Sequence, residues 1–162
     1  MSSLGVVELL DRASVARREE RLADAYRDAS EALLQSRRGE DQDCLIRALR
    51  MLGQLERDEG RPERALQHYR EAVAESRTQG DTLRLALTIR HLGDLLVELS
   101  RFDEAAVEYE AALAGYRQEP SRTPLDLANT LRAIAVLKQR VGEARAARPF
   151  WVARPRSSAG RD

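Results

Sequence analysis

The chain has 162 residues, with 27 Lys plus Arg against 27 Asp plus Glu, and a net charge of zero removes the bulk attraction that a nucleic-acid binder relies on. Aromatic residues make up only 4%, too few for a β-sandwich core or a stacking surface, while the abundant Ala, Leu, Arg and Glu are strong helix formers. A single cysteine, Cys44, excludes an intramolecular disulfide; it is expected to be a small buried residue in a chain kept in a reducing, cytoplasmic compartment. The N-terminus lacks the basic start of a signal peptide, and no stretch approaches the ~20 apolar residues of a membrane span, so no membrane partner is expected.

Apolar residues recur at helical spacing along most of the chain. A first helix is predicted over Leu4–Arg18 behind a Ser3 cap, and a second over Leu22–Ser36, stopped by Gly39. Asp41 caps a third, Gln42–Asp58, ended by Gly60. Pro62 opens a fourth, where its missing N–H is no loss, and Gly80 stops it. A fifth helix starts behind Asp81 or Thr82 and runs to Leu99, and after the turn at Ser100-Arg101 a sixth is expected to be capped by Asp103. Pro120 and Pro124 mark the longest loop. The seventh helix is predicted over Leu125–Arg140 and stopped by Gly142, with an incomplete eighth beginning at Glu143–Ala147 and interrupted by Pro149. From Ala144 to Arg161 there are five Arg and no acid, so 148–162 reads as a basic, poorly ordered tail.

Two stretches repeat each other. Leu52-Gly53 is followed by Ala65, Tyr69 and Ala72; Leu92-Gly93 is followed by Ala105, Tyr109 and Ala112. In both, the steps from Gly are 12, 16 and 19, and the copies are 40 residues apart. Weaker copies follow the same register: Ala13, Ala25, Ala29 and Ala32 ahead of them, and Ala135, Ala147, Trp151 and Arg154 after them. A glycine in the first helix lets a second helix approach, a small residue faces it, and the tyrosine fills the space toward the next unit. One such pair cannot bury its own apolar stripe, so pairs must stack.

This pattern resembles the tetratricopeptide repeat, in the longer form of kinesin-light-chain-type and bacterial regulatory members. The resemblance implies an all-α, right-handed solenoid of antiparallel helix pairs over residues 1–147. The units are expected at about 6–45, 46–85 and 86–127, with an incomplete one at 128–147. It further implies that the first helix of each pair lines a concave groove. The inward positions are then Arg17 and Arg18; Arg47, Arg50, Gln54 and Arg57; Leu87, Arg90, His91, Asp94 and Glu98; and Asn129, Arg132, Val136, Gln139 and Arg140. Arg50, Arg90 and Arg132 are equivalent in successive units and suit carboxylates, which favours an acidic peptide or protein partner. The same charges also read as a solvated face neutralised by Asp58, Asp94 and Glu98. The carboxylate clamp of chaperone-binding members is not reproduced, since Ala133 stands at its last basic position.

No catalytic constellation is written in the chain. His68 and His91 are its only histidines, and neither falls in a zinc motif or beside a patterned nucleophile; His68 is expected at the surface and His91 toward the groove. Gly53 and Gly93 are packing glycines, not a phosphate loop. The sequence therefore predicts a non-catalytic protein-interaction scaffold with no cofactor and no metal. Two alternatives are a regulatory fragment working with a separate effector domain, and a self-associating module whose uncapped last repeat leaves an apolar face.

Overall fold

The computed structural model describes residues 5–119, 121 and 123–152, with side chains through 143 and at 145. Ser3 and residues 153–162, which hold most of the predicted tail, lie outside them. Among the described residues there are seven helices and no strand. They are α1 (Val6–Arg18), α2 (Leu22–Gly39), α3 (Gln42–Asp58), α4 (Pro62–Gln79), α5 (Thr82–Glu98), α6 (Phe102–Gln118) and α7 (Pro124–Val152). Each packs on its neighbours in the chain, and α1 also touches α3 and α5 touches α7. That is an α-solenoid, with α1–α2, α3–α4 and α5–α6 as its helix pairs.

The turns repeat as the helices do. Within the three pairs the chain reverses through a left-handed residue: Glu20 (φ 58°), Gly60 (φ 70°) and Ser100 (φ 58°). At each, the next N–H reaches back to the helix: Arg21 to Ala16 O, Arg61 to Glu56 O and Arg101 to Leu96 O, all at 2.8 Å. Such bonds satisfy carbonyls that the helix end would orphan. Between pairs, Glu40 (φ 55°) and Gly80 (φ 73°) hold the left-handed position, and after Glu40 the Asp41 N–H reaches Ser36 O at 3.1 Å. At the starts of α3 and α5, Asp41 and Asp81 accept the N–H of Cys44 and Arg84 at 3.0 Å.

Four local expectations are corrected. Gly39 is the last residue of α2 and not its stop; Glu40 takes the left-handed position. Asp103 does not cap α6, which starts at Phe102 behind Arg101, leaving Asp103 in its first turn, where a negative charge still suits the helix dipole. α1 begins at Val6 behind Gly5, not at Leu4. Gly142 does not end the seventh helix, and there is no separate eighth: α7 is continuous to Val152. Gly142 has helix on both sides and no left-handed turn to occupy.

Packing follows the repeat. The position a Cβ would take on Gly53 is 3.0 Å from the Tyr69 ring, and on Gly93 it is 2.7 Å from the Tyr109 ring. What the glycines admit is thus the tyrosine of their own pair, more than the approach of Ala65 or Ala105. Leu52, Ala65, Tyr69, Ala72, Leu92, Ala105, Tyr109 and Ala112 are all buried, and so is Cys44. Buried hydroxyls keep the register too: Ser36 and Ser76 donate to Ala32 O and Ala72 O, one turn back on their own helices.

Candidate interaction groove

The odd-numbered helices present their polar faces to one side, in two adjoining clefts. One, of about 320 Å³, is lined by Arg17, Gln54, Arg57, Asp58, His91, Asp94 and Glu98, from α1, α3 and α5. The other, of about 350 Å³, runs on over α5 and α7, with Arg90, Asp94, Glu98, Asn129, Arg132 and Arg140 among its walls. Asp94 and Glu98 belong to both, so the two form one trough. Of the residues expected to face inward, Arg18, Arg47, Arg50, Leu87 and Gln139 line neither cleft; Arg47 pairs with Asp11 at 3.4 Å, and Leu87 borders a separate cleft beside Gly80 and Tyr116.

Two ion pairs tie successive first helices together along this trough. Arg17 of α1 meets Asp58 of α3 at 2.5 Å, and Arg57 of α3 meets Glu98 of α5. The second pair is the first shifted by 40 residues. Sequence reasoning placed these acids near the arginines but missed the pairing; the signal was the common separation of 41. Burial is the largest single influence on Arg57 and opposes its charge, but the hydrogen bond to Glu98 together with the charge of Glu98 and the nearby Tyr69 outweighs it and raises the pKa. Between them, Asp94 accepts from Arg90 at 3.0 Å and from the Tyr109 hydroxyl at 2.7 Å. Burial and the Asp94 charge push the Tyr109 pKa up.

The three equivalent arginines differ. Arg132 is exposed and donates to Asn129 Oδ1 at 3.4 Å. Arg90 is held by Asp94. Arg50 has no carboxylate partner among the described residues, and burial lowers its pKa. Four polar atoms around it are buried without a hydrogen-bond partner among the described residues: Arg50 Nε, Arg90 Nε, and the Tyr69 and Tyr116 hydroxyls. Unmade hydrogen bonds in a buried place are costly, so a group that met them would be held tightly.

His91 lies against this cluster. Its ring stacks on Tyr69 with centroids 6.2 Å apart and planes at 15°. Tyr69 thus covers Gly53 of its own pair and contacts the next pair through His91. Burial, followed by the charges of Arg50, Arg90, Arg57 and Arg17, depresses the His91 pKa from 6.5 to about 3, so the ring is neutral at pH 7. His68 is half-buried on α4, away from the trough, and burial lowers its pKa as well. No group of three or more His, Cys, Asp or Glu among the described residues is placed to hold a metal ion, and no described helix is long and apolar enough to cross a membrane.

Comparison with known proteins agrees with this architecture. The tetratricopeptide-repeat family model matches residues 6–74, from α1 through most of α4. The crystal structure of BtubC (BKLC) from P. vanneervenii superposes with a TM-score of 0.75 at 23% identity, covering 100% of this chain and 73% of that one. No curated protein matches the sequence. The match thus places tetratricopeptide repeats in α1–α4, and the same helix pairing, in a fold shared with BtubC, continues through α5–α6.

Proposed function

We propose that this chain is a non-catalytic scaffold of the cytoplasm that binds a peptide or an extended partner segment along the trough, with a preference for acidic side chains. Tetratricopeptide repeats in general mediate protein–protein contacts, and a rigid row of first helices suits that task. The observation that carries the reading is the group around Arg50. Among the described residues its guanidinium has no carboxylate partner, and four buried polar atoms there have no hydrogen-bond partner. A Glu or Asp of a bound segment would satisfy donors that the described residues leave free. The neutralised pairs at Arg17, Arg57 and Arg90 confine the preference to that place.

The test is selection of binders from a displayed random-peptide library, followed by fluorescence anisotropy on the selected sequences. Acidic peptides are expected, and Arg50→Ala/Arg90→Ala should weaken them at least tenfold, since hydrogen bonds to a charged group contribute about 1.5–3 kcal/mol. Selection of neutral or basic sequences, or affinity unchanged in the double variant, overturns the reading.

A second reading, self-association through the C-terminal end, is favoured by one observation. α7 leaves Leu125, Leu131 and Val136 between 45% and 70% exposed, and large apolar side chains grouped on one helix mark a contact surface.

A further inference from the structure

Four consecutive helices bring unmet hydrogen-bonding groups to one place. Gly53, about one turn after Arg50 on α3, lies under the Tyr69 ring of α4. That ring stacks on His91, the neighbour of Arg90 on α5. Ala86, about one turn before Arg90, has Gly115 of α6 against its methyl, and Tyr116 is the next residue. The atoms left without a partner among the described residues are one from each helix: Arg50 Nε, the Tyr69 hydroxyl, Arg90 Nε and the Tyr116 hydroxyl. Both tyrosines are fully buried.

The trough shows what carboxylates do there. Asp58 takes Arg17, Glu98 takes Arg57 and Asp94 takes Arg90, each neutralising one guanidinium from one side. The group around Arg50 differs in charge and in direction. Arg50 stands beside Arg90 without an acid of its own among the described residues, and the charges of both, ahead of those of Arg57 and Arg17, press on His91. Its donors come from four helices and so approach from different sides. A carboxylate offers two oxygens in one plane and a single charge. A phosphoryl group offers three oxygens set around phosphorus and carries about 1.5 to 2 negative charges at pH 7.

We propose that the group around Arg50 binds a phosphorylated side chain of the partner segment, with Arg50 and Arg90 holding its charge and the Tyr69 and Tyr116 hydroxyls donating to its oxygens. This rests on the acidic-segment reading and narrows it to one chemical group. Arg50 and Arg90 are only half-buried, and Arg90 walls the cleft of about 350 Å³, so the site is reached from the trough. The two guanidinium groups repel each other. An anion that parts and bridges them relieves that repulsion and meets the hydroxyls behind them.

An array of random-sequence peptides, each made with phosphoserine, glutamate or serine at one central position, is probed with the full chain. The strongest binder is then remade in all three forms for fluorescence anisotropy. Phosphoserine should bind at least about tenfold tighter than glutamate, with serine weakest. Tyr69→Phe/Tyr116→Phe removes two partnerless hydroxyls and keeps both rings, so its melting midpoint should not fall, while most of the phosphoserine advantage should be lost. Arg50→Lys keeps the charge and removes the fork, and should weaken phosphoserine about tenfold. Glutamate binding as tightly as phosphoserine, or an advantage that survives both variants, overturns the phosphoryl site and leaves the acidic-segment reading standing. Binding of none of the three forms overturns both. Inorganic phosphate that alone displaces the phosphopeptide at concentrations near the peptide's Kd makes a free anion the ligand and overturns the partner segment as its source.

Discussion

A glycine inside a helix costs about 1 kcal/mol relative to alanine, so Gly53 and Gly93 must return more than that through packing. The distances rank the two sites. A Cβ on Gly93 would stand 2.7 Å from the Tyr109 ring, against 3.0 Å for Gly53 and Tyr69. Both rings are buried, and Tyr109 is further fixed by its bond to Asp94. Gly93→Ala should therefore lower the thermal midpoint more than Gly53→Ala, and Gly53→Leu should overpack its site at a cost of roughly 1–3 kcal/mol. Melting curves that put Gly53→Ala below Gly93→Ala would contradict the packing described. His91 supplies a second test. The unfolded chain takes up a proton near pH 6.5 that the folded chain refuses down to about pH 3. The contribution of a neutral His91 is thus complete above pH 6.5 and is lost as pH falls through that window. Asp94, Asp58 and Glu98 share its cleft, and Arg50, Arg90, Arg57 and Arg17 oppose its protonation. His91→Gln should flatten the fall in stability between neutral and moderately acid pH in urea unfolding, while identical slopes in the two proteins would remove His91 as the cause.

At the scale of the element, the left-handed turn residues decide where each helix stops. An L-residue held at such a turn costs roughly 1–2 kcal/mol, which glycine escapes in part because it is freer when unfolded. Ser100→Gly should raise stability by up to about 1 kcal/mol, and Gly60→Ala should lower it by a similar amount, both read from denaturant midpoints. Failure of the two to move in opposite directions would deny that the turns are equivalent. The same elements show what could be read from sequence. α3 was legible to the residue, since Asp41 and Gly60 punctuate it. Glu20, Glu40 and Ser100 were not, because non-glycine residues seldom take positive φ; only the spacing of 40 from Gly60 and Gly80 pointed to them. Gly142 reads as a helix stop, but a glycine ends a helix only where the chain turns, and there it does not. In the trough, the arginine positions were legible from the repeat. The partnerless cluster around Arg50 was not, since it depends on the Tyr69 and Tyr116 hydroxyls arriving from the second helices.

On the scale of the whole molecule, the Arg17–Asp58 and Arg57–Glu98 pairs join one unit to the next. Exposed ion pairs contribute only about 0–1 kcal/mol, so their main effect falls on the charge of the trough. Glu98→Gln should leave the melting midpoint within a few degrees of wild type and speed association of an acidic peptide at low salt, as steering predicts; stopped-flow fluorescence would show it, and a slower rate would contradict it. Partners are expected to lie on the first helices. Hydrogen-exchange mass spectrometry of the chain with and without a selected acidic peptide tests that most directly. Protection concentrated on α3 and α5, around Arg50 and Arg90, is the predicted result. Protection on α2, α4 and α6, with α3 and α5 unchanged, would contradict it.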